Sequence, residues 1–183
     1  MHISPTLKEK LKRIKLVVFD VDGTLTDGKI TMTLNGEEGK IFSSRDGIRM
    51  SLAARAGIVL CLFTGRKSKT VEKRGKNTDV SAIWYKNEIK GDLFRLIKSK
   101  FAVSPDEVLY AGDDLIDLGF MKRAGVAVAP SDGAWEVRNI ASYVTEAKGG
   151  DGVAAEILEM LLKVQGKWDM MVKKVTDNFK LLA

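Results

Sequence analysis

The run Ile14-Lys15-Leu16-Val17-Val18-Phe19 stops at Asp20-Val21-Asp22-Gly23-Thr24. Its apolar residues do not alternate with polar ones, so the strand they form is covered on both faces and belongs in the middle of a parallel sheet. Open α/β sheets hold their ligands at the carboxyl ends of such strands. At that end the chain places two carboxylates close together in a turn, followed by Gly23 and Thr24. Negative charge that dense is costly without a cation, so the turn is expected to bind a metal. An Asp-x-Asp pair by itself is also an ordinary helix cap, and the metal reading needs support from elsewhere in the chain.

The remaining sequence supplies what a parallel sheet requires. Ile58 to Phe63 is a second buried strand, and Ala82 to Tyr85 a short third. Val108 to Ala111, Val126 to Ala129 and Tyr143-Val144 continue the series. Helices are expected between them: one with Ile48, Leu52 and Ala56 on a stripe, ended by Gly57; one to about Lys76; and one from about Gly91 to Phe101. Further helices are expected with Phe120 and Met121, around Trp135, and up to about Gln165. Strand and helix alternate with short links, which specifies a doubly wound, Rossmann-like α/β fold with a parallel sheet. The chain (1–183) is read as one domain, with no linker to a second.

One insertion interrupts the alternation. Within 28–43, Ile30, Met32 and Leu34 alternate with polar residues, Asn35-Gly36 offers a two-residue turn, and Glu37 to Phe42 returns as a β-hairpin. A two-stranded ribbon is marginal alone, so this one is expected to lean on another surface, a second subunit included. Lys148 to Gly152 is expected to be the most flexible loop. The tail (166–183) carries Trp168, Met171, Val175 and Phe179 at helical spacing.

Composition excludes several functions. The only histidine is His2, at the terminus, so a catalytic histidine or a His-ligated metal is excluded. The single cysteine, Cys61, forms no internal disulfide and is read as a small buried hydrophobe in a reducing, cytoplasmic setting. No apolar run approaches the roughly 20 residues of a membrane span, and no signal peptide is visible. The net charge of +6 invites a nucleic-acid reading, but its basic excess sits in the two ends and the body is near neutral. Neither end interleaves aromatic and basic residues as single-strand binders do. Both are read as solvated faces or subunit contacts, with no nucleic-acid or membrane partner.

Polar clusters at the ends of the strands fit phosphoryl transfer, which is mostly positioning and charge neutralisation. Asp20 is the candidate nucleophile, forming an aspartyl-phosphate. Asp22 is placed to protonate the leaving alkoxide and then to deprotonate water. Thr64 and the amides of the following turn can hold phosphate oxygens. Lys90 can neutralise the nucleophile and the phosphoryl group, with Lys86 a rival for that role. Asp113, Asp20 and the backbone carbonyl of Asp22 offer hard oxygens for Mg²⁺, with Asp114 and Asp117 in support.

Taken in order, the stretches Asp-Val-Asp-Gly-Thr-Leu-Thr-Asp-Gly (20–28), Arg45-Asp46-Gly47, Thr-Gly-Arg-Lys (64–67), Lys90, Gly-Asp-Asp-Leu-Ile-Asp (112–117), Gly-Gly-Asp-Gly (149–152) and Gln165-Gly166-Lys167 resemble the haloacid dehalogenase-type phosphatases. The gaps between the motifs have no room for a cap domain, and the hairpin stands in its place. Among capless members, the chain from about Ile14 to Lys167 resembles the 3-deoxy-D-manno-octulosonate 8-phosphate phosphatases. That resemblance implies a Mg²⁺-dependent phosphomonoesterase of lipopolysaccharide precursor synthesis. It also implies a homotetramer in which a neighbour's ribbon and tail help to close the site.

A sugar-acid substrate carries a carboxylate besides its phosphate. Arg66 and Arg45 are the candidates to grip it, with Gly65 beside the phosphate. Relatives acting on 2-keto-3-deoxynononate 9-phosphate tend to lack the arginine at position 66, so Arg66 favours the eight-carbon sugar. Two positions depart from the family pattern. Tyr85-Lys86 stands where a Gln-Gly pair is usual, and Ser43-Ser44 replaces a typical Asn-Val. The rival readings are a nine-carbon sugar-acid phosphatase, a phospho-accepting signalling module and a non-catalytic oligomerisation domain. The signalling module conflicts with the candidate nucleophile's place after the first strand.

Overall fold

The buried strand at the head of the chain is β1 (Leu16–Asp20), with no residue of it exposed. In this computed structural model, which describes residues 3–32, 34, 38–87 and 92–177, it lies inside a six-stranded sheet. The other strands are β4 (Val59–Thr64), β5 (Ala82–Tyr85), β6 (Val108–Ala111), β7 (Val126–Ala129) and β8 (Tyr143–Val144). All pair in parallel, in the order β5-β4-β1-β6-β7-β8. The chain runs outward from β1 through β4 to β5, then returns to the other side of β1 and runs outward through β8. The reversal puts the topological switch point at the carboxyl end of β1, where such sheets bind ligands.

The sheet's side chains alternate between two cores, as the period of a strand requires. Val17, Phe19, Leu60, Leu62, Leu109 and Val128 face one of them, with Leu7 and Leu11 of α1 (Pro5–Arg13), Met50 of α2 (Ser44–Arg55) and Ile157, Leu158 and Leu161 of α7 (Val153–Val164). Leu16, Val18, Cys61, Phe63, Tyr110 and Ala129 face the other, with Leu93 and Ile97 of α4 (Leu93–Phe101), Met121 of α5 (Leu118–Met121) and Val137 of α6 (Trp135–Ile140). Helices therefore cover both faces. The helix α3 (Lys69–Asn77) adds Val71 to the first core, and α8 (Trp168–Asp177) buries Met171. Burial pushes the Cys61 thiol up to about 12, which fits a packing role and not a reactive one.

Two features differ from the sequence expectations. The basic amino-terminal end does more than face solvent: it forms α1, capped by Ser4 with Pro5 following, and buries two leucines. Full burial is worth roughly 1.5–3 kcal/mol for each. Gln165 Nε2 ties this helix down by donating to the carbonyls of Leu11 and Ile14, at 3.1 and 2.7 Å. The hairpin forms, and among the described residues its paired part is β2 (Thr31–Met32) running antiparallel to β3 (Glu38–Gly39). Its expected turn, Asn35-Gly36, lies outside the described residues, as do His2, Lys90, Gly91 and Phe179.

The second difference is the glycine loop at 148–152, which is pressed against the turn after β1. Gly150 N donates to Thr24 O at 3.1 Å, and Gly149 N to Asp132 Oδ1 at 2.9 Å. A Cβ on Gly149 would run into the carbonyl of Gly23. The Arg45-Asp46-Gly47 stretch has a similar packing role. Buried Asp46 Oδ1 accepts from Ala155 N at 2.7 Å, capping α7 from a neighbouring helix, because Gly152 at the cap has no side chain to do so. A Cβ on Gly47 would meet the Arg74 guanidinium at 2.8 Å.

Candidate active site

Three strand ends meet at the switch point. Asp20 is level with Phe63 of β4, and Phe19 with Ala111 of β6. The residues that follow these strands therefore converge. Beyond β1 the chain makes a wide turn over Val21–Leu25, in which Gly23 takes φ +96°. A side chain at that glycine would collide with the carboxylate of Asp113. Glycine is thus needed twice there, for its dihedral and for its missing Cβ.

Asp20, Asp113 and Asp117 each turn a carboxylate oxygen into a space where all three lie within 4.8 Å of one another. Asp20 is 4% exposed. Burial, together with the charge of Asp117, holds its pKa well above the ordinary carboxylate range, against the pull of Lys86. Burial first and Asp117 second raise Asp113 to about 7, although the Thr24 hydroxyl donates to its Oδ1 at 3.0 Å. Hard oxygen donors, crowded and short of positive charge, suit a hard divalent cation. The set fits Mg²⁺.

The cation present in the cluster is Lys86. Its backbone N–H donates to Thr64 O at 2.7 Å, extending the β4–β5 ladder by one residue. Its ammonium then lies 2.7 Å from Asp20 Oδ1 and 3.0 Å from Asp117 Oδ1. Burial works against the charged amine, but the two carboxylates outweigh it and hold its pKa above the ordinary lysine value. Lys90, the other candidate for this role, lies among the residues not described.

Asp117 is fully engaged. Its Oδ1 also accepts the Tyr110 hydroxyl at 2.8 Å, and its Oδ2 accepts the amides of Asp113 and Asp114 at 3.2 and 3.3 Å. It holds the Asp113 loop in place through these amides. Asp22 is not part of this cluster, and its Oδ1 accepts from Lys40 on the hairpin's return arm. Its backbone carbonyl remains the atom proposed for the metal.

The remaining candidates are spread around this centre. Thr64 is buried at the end of β4, and its Oγ1 accepts from Arg66 N at 3.4 Å. The Gly65 carbonyl accepts from Asn87 Nδ2 at 3.0 Å. The exposed Arg66 guanidinium donates to Glu38 Oε1 of β3 at 2.7 Å. Arg45 is not gathered with these groups: it lines a different cleft of about 530 Å³ with Arg49, Asp151, Glu156 and Glu159.

Sequence reasoning did not single out Lys40, Thr24 or Tyr110. Thr24 stood within the first motif and was legible in principle. Nothing local marks Lys40, whose partner Asp22 lies 18 residues earlier, or Tyr110, whose partner Asp117 lies seven residues on across the turn after β6.

Residues 77–157 match the family of haloacid dehalogenase-like hydrolases. The 3-deoxy-D-manno-octulosonate 8-phosphate phosphatase of Salmonella typhimurium is 39% identical over 167 residues, which cover 91% of this chain and 89% of that protein. The crystal structure of the Moraxella catarrhalis phosphatase of the same name, in complex with magnesium ion, phosphate ion and the sugar acid KDO, superposes with a TM-score of 0.87 at 33% identity. The match covers 92% of this chain and 97% of that one. The cobalt-bound Haemophilus influenzae phosphatase gives a TM-score of 0.79 at 31% identity, covering 94% and 98%.

Proposed function

This chain belongs to the 3-deoxy-D-manno-octulosonate 8-phosphate phosphatase family of haloacid dehalogenase-like hydrolases, and on that premise we propose that it hydrolyses this sugar-acid phosphate to the free sugar acid and inorganic phosphate. One observation carries the reading. A buried carboxylate, Asp20, sits at the switch point against Asp113, Asp117 and Lys86, on a fold shared with a relative crystallised with magnesium, phosphate and the sugar acid.

The residues divide the work in two steps. Asp20 attacks phosphorus, the bond from phosphorus to the sugar oxygen breaks, and Asp22 gives its proton to the departing alkoxide. Water then attacks phosphorus of the aspartyl-phosphate, its proton passes to Asp22, and Asp20 is released with inorganic phosphate. Asp20, Asp113 and the Asp22 carbonyl would hold Mg²⁺, which when bound neutralises charge on the phosphoryl oxygens. Lys86 supplies fixed positive charge beside the nucleophile, and Lys90 is proposed to neutralise the nucleophile and the phosphoryl group. Thr64 and the Gly65 turn hold phosphate oxygens. Arg66 exchanges Glu38 for the substrate carboxylate, a pairing that suits a guanidinium.

The assembly is proposed to be a homotetramer of one-domain chains, acting in the cytoplasm and feeding lipopolysaccharide precursor synthesis. The ribbon supports this with exposed Met32, Leu34 and Ile41, which are 69%, 108% and 81% accessible and call for a covering surface. No described helix is long and apolar enough to cross a membrane. Steady-state phosphate release from the eight-carbon and nine-carbon sugar-acid phosphates, with and without Mg²⁺, tests the function. The reading expects the eight-carbon ester to be preferred and chelation to abolish turnover. A hexose phosphate hydrolysed as well as either sugar acid would contradict it. Light scattering of the purified protein tests the tetramer.

A further inference from the structure

The hairpin reaches the reaction centre through Lys40. This residue follows β3 directly, and its side chain, 2% exposed, is paired with Asp22 Oδ1. Glu38, two residues earlier on the same face of the strand, holds Arg66. The ribbon thus grips a group on each side of the centre: the acid–base carboxylate with one residue and the substrate-carboxylate arginine with the other. A partly buried ion pair is a weak device for stability, since desolvation of the ammonium offsets part of the attraction. Fixing one geometry is its better-attested use. Lys40 pairs with Oδ1 of Asp22, whose side chain is 30% exposed, and on the phosphatase reading Oδ2 is the oxygen that carries the proton to the leaving group.

We propose that Lys40 is a positioning residue for the hydrolysis, locking the Asp22 carboxylate in the orientation from which it serves the departing sugar oxygen and then the attacking water. The proposal rests on the phosphatase reading above and deepens it, assigning to the ribbon a part in proton transfer as well as in enclosing the site. It separates two classes of ester. An alkyl sugar phosphate needs its leaving oxygen protonated, whereas 4-nitrophenyl phosphate expels a stable anion and does not.

The experiment is rapid-quench kinetics of the Mg²⁺-loaded full chain with both esters. Wild-type protein that releases phosphate from neither ester overturns the phosphatase reading before any variant is compared. With Lys40→Met, kcat on the sugar-acid phosphate should fall by about 100-fold with KM within about threefold of wild type. The first turnover of 4-nitrophenyl phosphate should stay within about threefold of wild type, followed by slow turnover as the step needing a base stalls. Intact mass should then show the phosphorylated protein accumulating. Lys40→Arg, which keeps the cation, should restore the sugar-phosphate rate to within about tenfold. If the methionine variant does not fold, Lys40→Gln is read in the same way. Equal slowing of the two first turnovers would mean a merely structural residue and would overturn the proposal. So would an unchanged kcat on the sugar phosphate.

Discussion

The ammonium of Lys86 lies 2.7 Å from Oδ1 of Asp20, the carboxylate that closes the central strand. The contact exists because β5 pairs in register with β4: Thr64 is opposite Tyr85, and the next residue outward is Lys86. The cation is thus placed by the sheet itself, one residue past the end of β5.

Replacing it should therefore be costly to catalysis. Lys86→Met is expected to lower kcat by roughly 10²–10³-fold, the usual effect of removing one preorganised positive or donor group from a transition-state site. Steady-state phosphate release at saturating Mg²⁺ measures this. A parallel Lys90→Met variant shows whether the two lysines divide the role, and a Lys86→Met enzyme with wild-type kcat would remove Lys86 from the mechanism.

Asp113 predicts how stability and metal binding change with pH. Burial and the neighbouring Asp117 raise it to about 7 in the metal-free protein, above its ordinary value of 3.8. Between those two values the folded state binds more protons than the unfolded chain, so this group makes stability fall as pH rises, with the full penalty present above about 7. Mg²⁺ competes with that proton and relieves the penalty. The shift in Tm on adding Mg²⁺ to chelator-treated protein should accordingly be larger at pH 8 than at pH 5, by differential scanning fluorimetry. An equal shift at both would contradict the assignment of Asp113 to the metal.

Gly149 predicts coupling between the glycine loop and the nucleophile's turn. A Cβ there would enter the space of the Gly23 carbonyl, which is backbone and has little freedom to move. Gly149→Ala should displace the turn carrying Asp22 and Gly23. The expected loss is at least 10²-fold in kcat, as small misplacements of catalytic groups commonly give. Gly57→Ala, where no atom lies within 4 Å but φ is +86°, is the comparison: it should cost stability with little change in kcat. Equal activity of the two variants would show that the loop does not position the turn.

Much of the fold was legible because apolar runs and their breakers are local signals. Val108 to Ala111 and Val126 to Ala129 fall where the sequence places them, and Asp20, Thr64 and Asp113 are on three converging strand ends because parallel topology leaves them little choice. What the sequence hid depends on distance. Lys86 follows β5, and no local pattern says that it turns back over the sheet to Asp20. Lys40 reaches Asp22 only because the ribbon folds over the site, and Asp46 caps a helix that begins far along the chain. The helix α1 was obscured by its charges, since only Leu7 and Leu11 face inward. The Ser4-Pro5 start was the signal for it.

The central claim is that Asp20 becomes covalently phosphorylated. Acid quench of the Mg²⁺-loaded enzyme during turnover of 3-deoxy-D-manno-octulosonate 8-phosphate, followed by peptide mass mapping, tests it most directly. The account predicts one phosphoryl group on the peptide containing Asp20, absent in Asp20→Asn, which should also release no phosphate. A phosphoryl group on another residue, or an Asp20→Asn enzyme that turns over at the wild-type rate, would contradict it.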